Sequence, residues 1–512
     1  MPLNLSTLLD PNLIDLPKPS GDFSFNTATS AELSDDEARV ASWLAAKLFD
    51  QRGALLLSGL YYEGLQAVTS LGIMIPPELE GLRAILGWAG TGVEAVDERL
   101  ALHGFRMPNS TAVDEDLADI WQANNMDEES PLGHLDAMIF GNTQVVVGPR
   151  AGGGQPVITI ESPLDMYTVW DPRARRARSS LQTYIDTDPT SEHYGRQRAA
   201  FYLLGSTIHM VRGERGWMVI DRDDHKLTDE RGELVLPVVP LPNRERVGDR
   251  LGRSEITPAW RNTIDRSCRN MAGMEVAREF FGAPPRYLLG VAKGAFEGMD
   301  GTARSAWETY IGRILALEAD EHGNLPVVGT FASGNPEAFT KLYDVDVRIM
   351  AGLTGLPPQY LGIYSDGNPA SADAIRMSDF RLNTKAARKA TVFGSRWALV
   401  MRLALLIRDG QVPDDAHRME VDWAPTGIPT PAADTDAVTK QIAQGMLPAE
   451  SDVALEKVGY SAVERERIAI DRRRMQGRAD RAAVIAAARN RAQPAAPVRT
   501  DEPVPAEQTP TG

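Results

Sequence analysis

Residues 371–410, SADAIRMSDFRLNTKAARKATVFGSRWALVMRLALLIRDG, carry an unbroken helical pattern without proline. A helix of that length spans about 60 Å, more than an ordinary domain is wide, and Gly394 is the one place where it is expected to bend. Ile375, Phe380, Leu382, Val392, Phe393, Trp397, Val400, Met401, Leu403, Leu406 and Ile407 recur at helical spacing and are expected to bury. Two further helical runs precede it. One, over 257–281, opens on Thr257-Pro258 as cap and first-turn proline and closes at Gly282-Ala283-Pro284-Pro285. The other, over 336–353, opens on Asn335-Pro336 and closes at Gly355 and Pro357. Between them lies a weakly patterned module, and LTGLPPQYLGIYSDGNPAS joins the second run to the long one. Ordering such rods costs chain entropy that a lone copy recovers only if something packs along them; neighbouring copies could supply that packing.

The rest of the chain supports a mixed α/β fold, mainly helical. Residues 1–30, rich in Pro, Ser, Asn and Asp, read as a flexible arm. Helical patterns follow to about 141, beginning at Ser34 as an N-cap with acids in the next turn, and splitting near Gly90 and Gly92. From 142 to 242 the period shifts to two. QVVVGP, PVITIES, MYTVWD, LQTYID, AAFYLLG, TIHMVRG, GWMVID and ELVLPVVPL are short β-branched or aromatic runs cut by Gly, Pro and Asp. The gaps are too short for helical crossovers, so antiparallel hairpins are expected. After the long helix, APTGIPTPAADT leads to an arginine-rich helical region over 433–492, and 493–512 reads as a disordered tail.

The 512 residues carry a net charge of -16. Residues 1–150 hold 22 Asp and Glu against 8 Lys and Arg, a net of -14, which leaves only -2 for the remainder. That balance argues against a protein whose task is to grip nucleic acid through its phosphates. No uninterrupted apolar run is long enough for a membrane span, and the first residues lack a signal peptide's basic start and apolar centre. The one cysteine, Cys268, falls in an apolar helical phase and is expected to be buried. Chemistry-bearing motifs are weak. GTGVEA (90–95) lacks a dinucleotide loop's third glycine and follows helix, and Gly152-Gly153-Gly154 has no phosphate-loop lysine. The seven histidines never take ligand spacing. Asp221, Asp223 and Asp224 read as a solvated hairpin turn, and the arginine run within 173–178 as a solvated or interface surface.

LTGLPPQYLG, then GNPASADAI and the basic-amphipathic run after it, resemble the Gp6-like (SPP1-type) portal proteins of tailed bacteriophages. SPLDMYTVWDPRARR and the helix before GAPPRYLLG add weaker likenesses, and the resemblance covers about 30–480. It implies a portal fold: a closed ring around a central channel at the unique capsid vertex, through which double-stranded DNA is packaged and ejected. By that resemblance 31–256 is the wing, 257–281 and 336–353 the stem helices and 282–335 the clip. Residues 354–370 would be the tunnel loop, 371–432 the long helix and its return to the wing, and 433–492 the crown. Gly362, Ser365, Asp366, Gly367, Asn368 and Ser371 would face DNA, with Tyr360, Leu361 and Ile363 anchoring one limb against a neighbour. Phe380, Phe393, Trp397 and Met401 would pack the long helix, and Arg376, Arg381, Lys385, Arg388 and Lys389 would contact an adjacent copy or DNA. The implied partners are further copies (twelve in the virion, thirteen in some recombinant rings), DNA, the large terminase subunit, a head-tail adaptor, the major capsid protein and scaffolding protein. The implied place is the virion's portal vertex, reached from the host cytoplasm, with no catalytic residue, cofactor or membrane. A head-tail adaptor or other structural ring is the nearest alternative, and a metal-dependent nucleic-acid enzyme a more distant one.

Overall fold

Ser34 starts helix α1 (Asp35–Tyr62): its side chain accepts from the Glu37 N–H at 3.3 Å while the Glu37 carboxylate takes the Ser34 N–H at 2.9 Å. This reciprocal cap, with three acids in the first turn, satisfies donors that a helix otherwise leaves open and complements its dipole. The computed structural model describes residues 33–66, 84–108, 113–214, 216–281, 286–289, 327–330, 337–363, 372–427, 431–460 and 462–492. The chain divides into two units, Met1–Gly427 and Ile428–Gly512.

Helix α2 (Trp88–Asp97) runs through Gly90 and Gly92, where the sequence reading expects a break. Both glycines are buried, and a Cβ at Gly92 would lie 2.8 Å from Cζ3 of Trp260. Gly92 therefore serves close helix packing rather than a phosphate. Strand β1 (Leu102–Arg106) follows, then α3 (Glu115–Gln122) and α4 (Met126–Phe140), parted where Asn125 takes a left-handed φ of 51°. Strands β2 (Asn142–Gly148) and β3 (Val157–Glu161) pair antiparallel, and Gly152, Gly153 and Gly154, all at positive φ, lie in the turn between them. Next come β4 (Met166–Asp171), β5 (Arg176–Ile185), β6 (Gln197–Leu203), β7 (Ser206–Gly213) and β8 (Gly216–Asp224), a sheet ordered β4-β5-β6-β7-β8. Every neighbour pair in it is antiparallel, as the short gaps imply. Strand β9 (Val238–Pro242) returns to β2, giving the order β3-β2-β9. Ala41, Leu44 and Ala45 of α1 form one core with Leu181, Phe201, Ile208, Met210 and Trp217 of the five-stranded sheet.

Helix α5 (Pro258–Phe281) leads to β10 (Arg286–Leu289), which pairs antiparallel with β11 (Val327–Thr330); these are the described parts of the module between the two rods. Then come α6 (Glu337–Thr354), a 3-10 turn at Pro358–Leu361, and α7 (Ala372–Asp409). The apolar content of α7 suffices by length and composition for a membrane span, yet 61% of that window is buried, as befits the core helix of this unit. The helix runs through Gly394 without a break, and a Cβ there would meet Nε1 of Trp423 at 2.9 Å. Trp423 belongs to β12 (Glu420–Trp423), which pairs antiparallel with β1, Leu102 opposite Trp423 and Arg106 opposite Glu420.

In the second unit, α8 (Pro431–Ala443) and α9 (Asp452–Val458) precede α10 (Ala462–Ala492). Arg465 of α10 is 7% exposed and held by Asp452 at 2.9 Å and Glu456 at 3.2 Å, so this first arginine of the run serves its own unit. The arm over 1–30 and the tail over 493–512 lie outside the described residues.

Candidate functional site: a helix pair and the rim of its loop

The two rods stand against each other. Arg266 of α5 forms an ion pair with Asp346 of α6, and Asn270 donates to the Phe339 carbonyl at 3.3 Å. Both rods are rooted at one end in the large core, through Trp260, Ile264 and Cys268 of α5 and Val347, Met350 and Ala351 of α6. Tyr61 of α1 ties that root down, donating to the Asp265 carboxylate at 2.8 Å, and the Trp88 and Tyr343 rings lie 5.6 Å apart. Cys268 is 2% exposed, and burial pushes its thiol up to about 11, which leaves it protonated and unreactive at neutral pH. The outward side of α6 carries Leu342, Val345, Ile349 and Leu353, 56%, 48%, 39% and 38% exposed. Their spacing of three, four and four residues makes one apolar stripe that a single chain leaves open.

The loop after α6 is anchored from within its own chain. Pro358–Leu361 forms one 3-10 turn, ended by Gly362 at φ 90°, a left-handed conformation that a side chain would strain. Leu361 is buried, and Tyr360 and Ile363 pack against the same core. Arg99 at the end of α2 donates to the Tyr360 hydroxyl at 2.9 Å and to Oδ1 of Asn383 at 3.0 Å, and it lies 3.7 Å from the buried Asp379 carboxylate. One guanidinium thus fixes the end of the loop's first limb to the start of α7. The sequence reading places Tyr360, Leu361 and Ile363 against a neighbour; within its own chain Leu361 is buried, while Tyr360 and Ile363 are half-buried. Ser365, Asp366, Gly367, Asn368 and Ser371 lie outside the described residues.

Two residues before Arg99, Asp97 has a buried Oδ1 with no hydrogen-bond partner among the described residues. Burial, then repulsion from Glu98 and Glu94, pushes its carboxyl up to about 7. A carboxyl raised in the folded state costs nothing below its unfolded value near 4; the penalty grows as pH rises to about 7 and is complete above it. Asp97→Asn is therefore expected to stabilise the protein at pH 8 by about 2 kcal/mol, discounted for partial exposure, and to give no gain at pH 4. Urea denaturation at the two pH values reads the difference.

Along α7 the predicted residues separate. Phe393, Trp397 and Met401 are fully buried, while Phe380 is 67% exposed beside Met377 at 75%. Phe380 sits two residues, about 200° of helical rotation, from buried Leu382 and so faces the opposite way. The basic residues expected to reach outward divide likewise. Lys389 is 3% exposed and contacts the buried Glu255 carboxylate at 2.5 Å, and Lys385 reaches the same group at 2.6 Å. Asn243 completes the cluster, donating to Glu255 at 2.9 Å and accepting from Lys389. Lys385 and Lys389 are therefore internal groups, unavailable to DNA or a neighbour, because a buried carboxylate demands them. Arg381 donates to the Gly352 carbonyl at 3.0 Å, binding α7 to the end of α6, and Arg388 is exposed. The Arg376 side chain lies outside the described residues.

Sequence reasoning missed the Arg99 clasp and the Glu255 cluster. Only Lys389 carried a readable signal, since it falls in the row Leu382, Ala386, Phe393 and Trp397 that faces the core. The rods carry exposed cations: Arg266, Arg269 and Arg278 are exposed on α5, with Arg266 matched by Asp346 and Arg278 by Glu275. Asp221, Asp223 and Asp224 lie on strand β8, not in a turn. Among the described residues no three His, Cys, Asp or Glu side chains are grouped to hold a metal ion.

A family model described as phage portal protein, SPP1 Gp6-like, matches residues 60–466. The portal protein of Mycobacterium phage D29 is 35% identical over 441 residues, covering 84% of this chain and 87% of its own length. That of Mycobacterium phage L5 is 35% identical over 443 residues with the same coverage of both chains. Among solved structures, a chain of the native gene transfer agent virion aligns at TM-score 0.45 and 15% identity, covering 80% of this chain and 94% of that one. A chain of the native particle's neck aligns at 0.43 and 16%, covering 81% and 99%.

Proposed function

The chain belongs to the SPP1 Gp6-like family of phage portal proteins, a structural family, and from that premise we propose how its rods build a channel. Copies stand side by side in a closed ring at the capsid's portal vertex, with the α5–α6 pair as the stem and β10–β11 as part of the clip. The observation that carries this reading is the antiparallel rod pair, rooted in the core at one end and returning through an anchored loop to α7. Twelve helices about 10 Å wide need a circumference near 120 Å, which leaves a hole roughly 28 Å across, enough for a duplex with water and counterions. Cyclic closure gives every copy's open stem face a neighbour, and the α6 stripe of Leu342, Val345, Ile349 and Leu353 is such a face.

Passage of DNA requires weak contact, because each phosphate neutralised by a free cation adds to the grip. Pairing of Arg266 and Arg278 with carboxylates of the rods keeps that grip low. The loop beyond Gly362, with Ser365, Asp366, Gly367, Asn368 and Ser371, is the segment we assign to the duplex, on a limb that Arg99 holds still. Terminase, a head-tail adaptor and the major capsid protein are the partners this role requires. Electron microscopy and native mass measurement of the purified chain are expected to return rings of twelve or thirteen copies with a central hole. A chain that stays monomeric at every concentration overturns the reading.

A further inference from the structure

The five-stranded sheet is electrically polarised across its width. Its two edge strands are β4 and β8, and the register Asp171–Arg176, Ser179–Leu203, Leu203–Ser206 and Ser206–Asp224 brings the β4–β5 hairpin and the last residues of β8 to the same end. Four strand spacings, roughly 19 Å, separate them. At the β4 corner, Arg173 and Arg175 of the hairpin are exposed and have no carboxylate in ion-pair contact among the described residues. Arg396 of α7 lies beside them with its guanidinium 4.4 Å over the Trp170 ring and no ion-pair partner among the described residues, lining a small cleft with Trp170 and Gln144. The Nε of Arg244 is buried without a hydrogen-bond acceptor among the described residues. At the β8 corner, Asp221, Asp223 and Asp224 are exposed and likewise unpaired, because the arginine among them, Arg222, is bound to Glu37 of α1 at 2.9 Å.

We propose that the arginine corner at the β4 edge of one copy receives the carboxylate corner at the β8 edge of the next. The proposal rests on the ring reading above, since a head-to-tail contact needs two different, complementary patches on opposite sides of one chain. Unmatched cations beside an aromatic face and a half-enclosed cleft suit a side-chain carboxylate, which can enter where the convex backbone of a duplex cannot. Burial, with repulsion from Arg244 and Arg175, brings the Arg396 guanidinium down to about 10, so an anion arriving there relieves an existing charge conflict. In a chain of net charge -16, four arginines at one corner and three aspartates at the other, none of them in an ion pair among the described residues, are a complementary pair.

Charge reversal tests it on the full chain, with circular dichroism to confirm folding of each variant. Arg173→Glu with Arg175→Asp, or separately Asp221→Arg with Asp223→Arg, is expected to raise the concentration for ring assembly about tenfold, read by native mass measurement. All four substitutions in one chain are expected to restore assembly to within about threefold of wild type, because the corners again match. Reversed chains that assemble like wild type, or a fourfold variant that fails to recover, overturn the proposal while leaving the ring reading intact. A wild-type chain that never assembles overturns both. Arginine reversals that weaken duplex binding without touching assembly overturn it in favour of phosphate as the occupant.

Discussion

Trp397→Ala will destabilise the unit over Met1–Gly427 by about 5 kcal/mol and, on the proposed function, remove rings from solution before any effect on DNA passage can be measured. Trp397 is fully buried at the middle of α7, with its ring 5.2 Å from that of Trp121 and edge-on to His134 at 5.8 Å. Emptying such a site costs about 3–5 kcal/mol through lost transfer energy and the remaining cavity. A second penalty comes from chemistry. The indole Nε1–H donates to Nε2 of His134 at 2.7 Å, and His134 is itself fully buried and stacked on Phe393. Burial holds that imidazole down to about 3, hence neutral, and losing its donor strands an acceptor at a cost of about 1–3 kcal/mol. Against a total stability of about 5–15 kcal/mol, the sum removes a large share of the folded population. Trp397→Phe separates the two effects, since it keeps most of the volume and loses only the donor, with an expected cost near 2 kcal/mol. Urea denaturation gives both values; an unchanged midpoint for the alanine variant, with intact rings, contradicts this account.

What the sequence made readable follows the range of the forces involved. The strands over 142–242 announced themselves by alternation and by Gly and Pro at their ends, signals that act over a few residues, and β2 to β9 occupy that region. The rods were legible for the same reason: Thr257-Pro258 opens α5, and the run expected over 371–410 is the helix Ala372–Asp409. Pairing of β1 with β12 was not, because LHGFR and EVDW are five and four residues long and become strands only by meeting across the chain. Gly92 misled for a related reason, since its need for a glycine is set by Trp260 on another helix. The loop anchors were recognisable as apolar, but their clasp within the chain was not, because that contact, Arg99 on Tyr360, spans 261 residues. Phe380 and Lys389 are the paired lesson of α7. Phe380, counted with the buried stripe, faces out because it lies two residues from Leu382, and Lys389, expected outside, faces in because it shares that residue's phase.

Glu255→Gln should cost about 3 kcal/mol, the penalty of leaving the buried Lys389 ammonium with only the exposed Glu245 carboxylate at 3.4 Å as its charged partner. Glu255 is 6% exposed, and its backbone N–H donates to the Met138 carbonyl at 2.9 Å, so the side chain cannot swing away to solvent. Burial opposes its ionisation, but the ammonium groups of Lys385 and Lys389 win and hold the carboxyl down to about 2. A carboxyl depressed in the folded state contributes its stability above the unfolded value near 4.5 and loses it as pH falls toward 2. Wild-type stability should therefore fall through that window, and the glutamine variant, having no proton to take up there, should show a flatter limb between pH 4.5 and 2. His134, depressed below its ordinary 6.5 by burial, steepens the acid limb of both proteins between pH 6.5 and 3, so the contrast must be read as a difference between them. Lys385→Gln alone should cost far less, because Lys385 is the more exposed partner and Lys389 still neutralises the carboxylate. Adding Lys389→Met to Glu255→Gln removes the buried ammonium that Glu245 alone neutralises poorly and should recover at least about 1.5 kcal/mol. No recovery in that double variant, measured by urea denaturation at pH 7, would mean that the loss comes from disturbed packing where α7 meets the segment after β9, and that the charge balance assigned to this cluster does not hold the long helix in place.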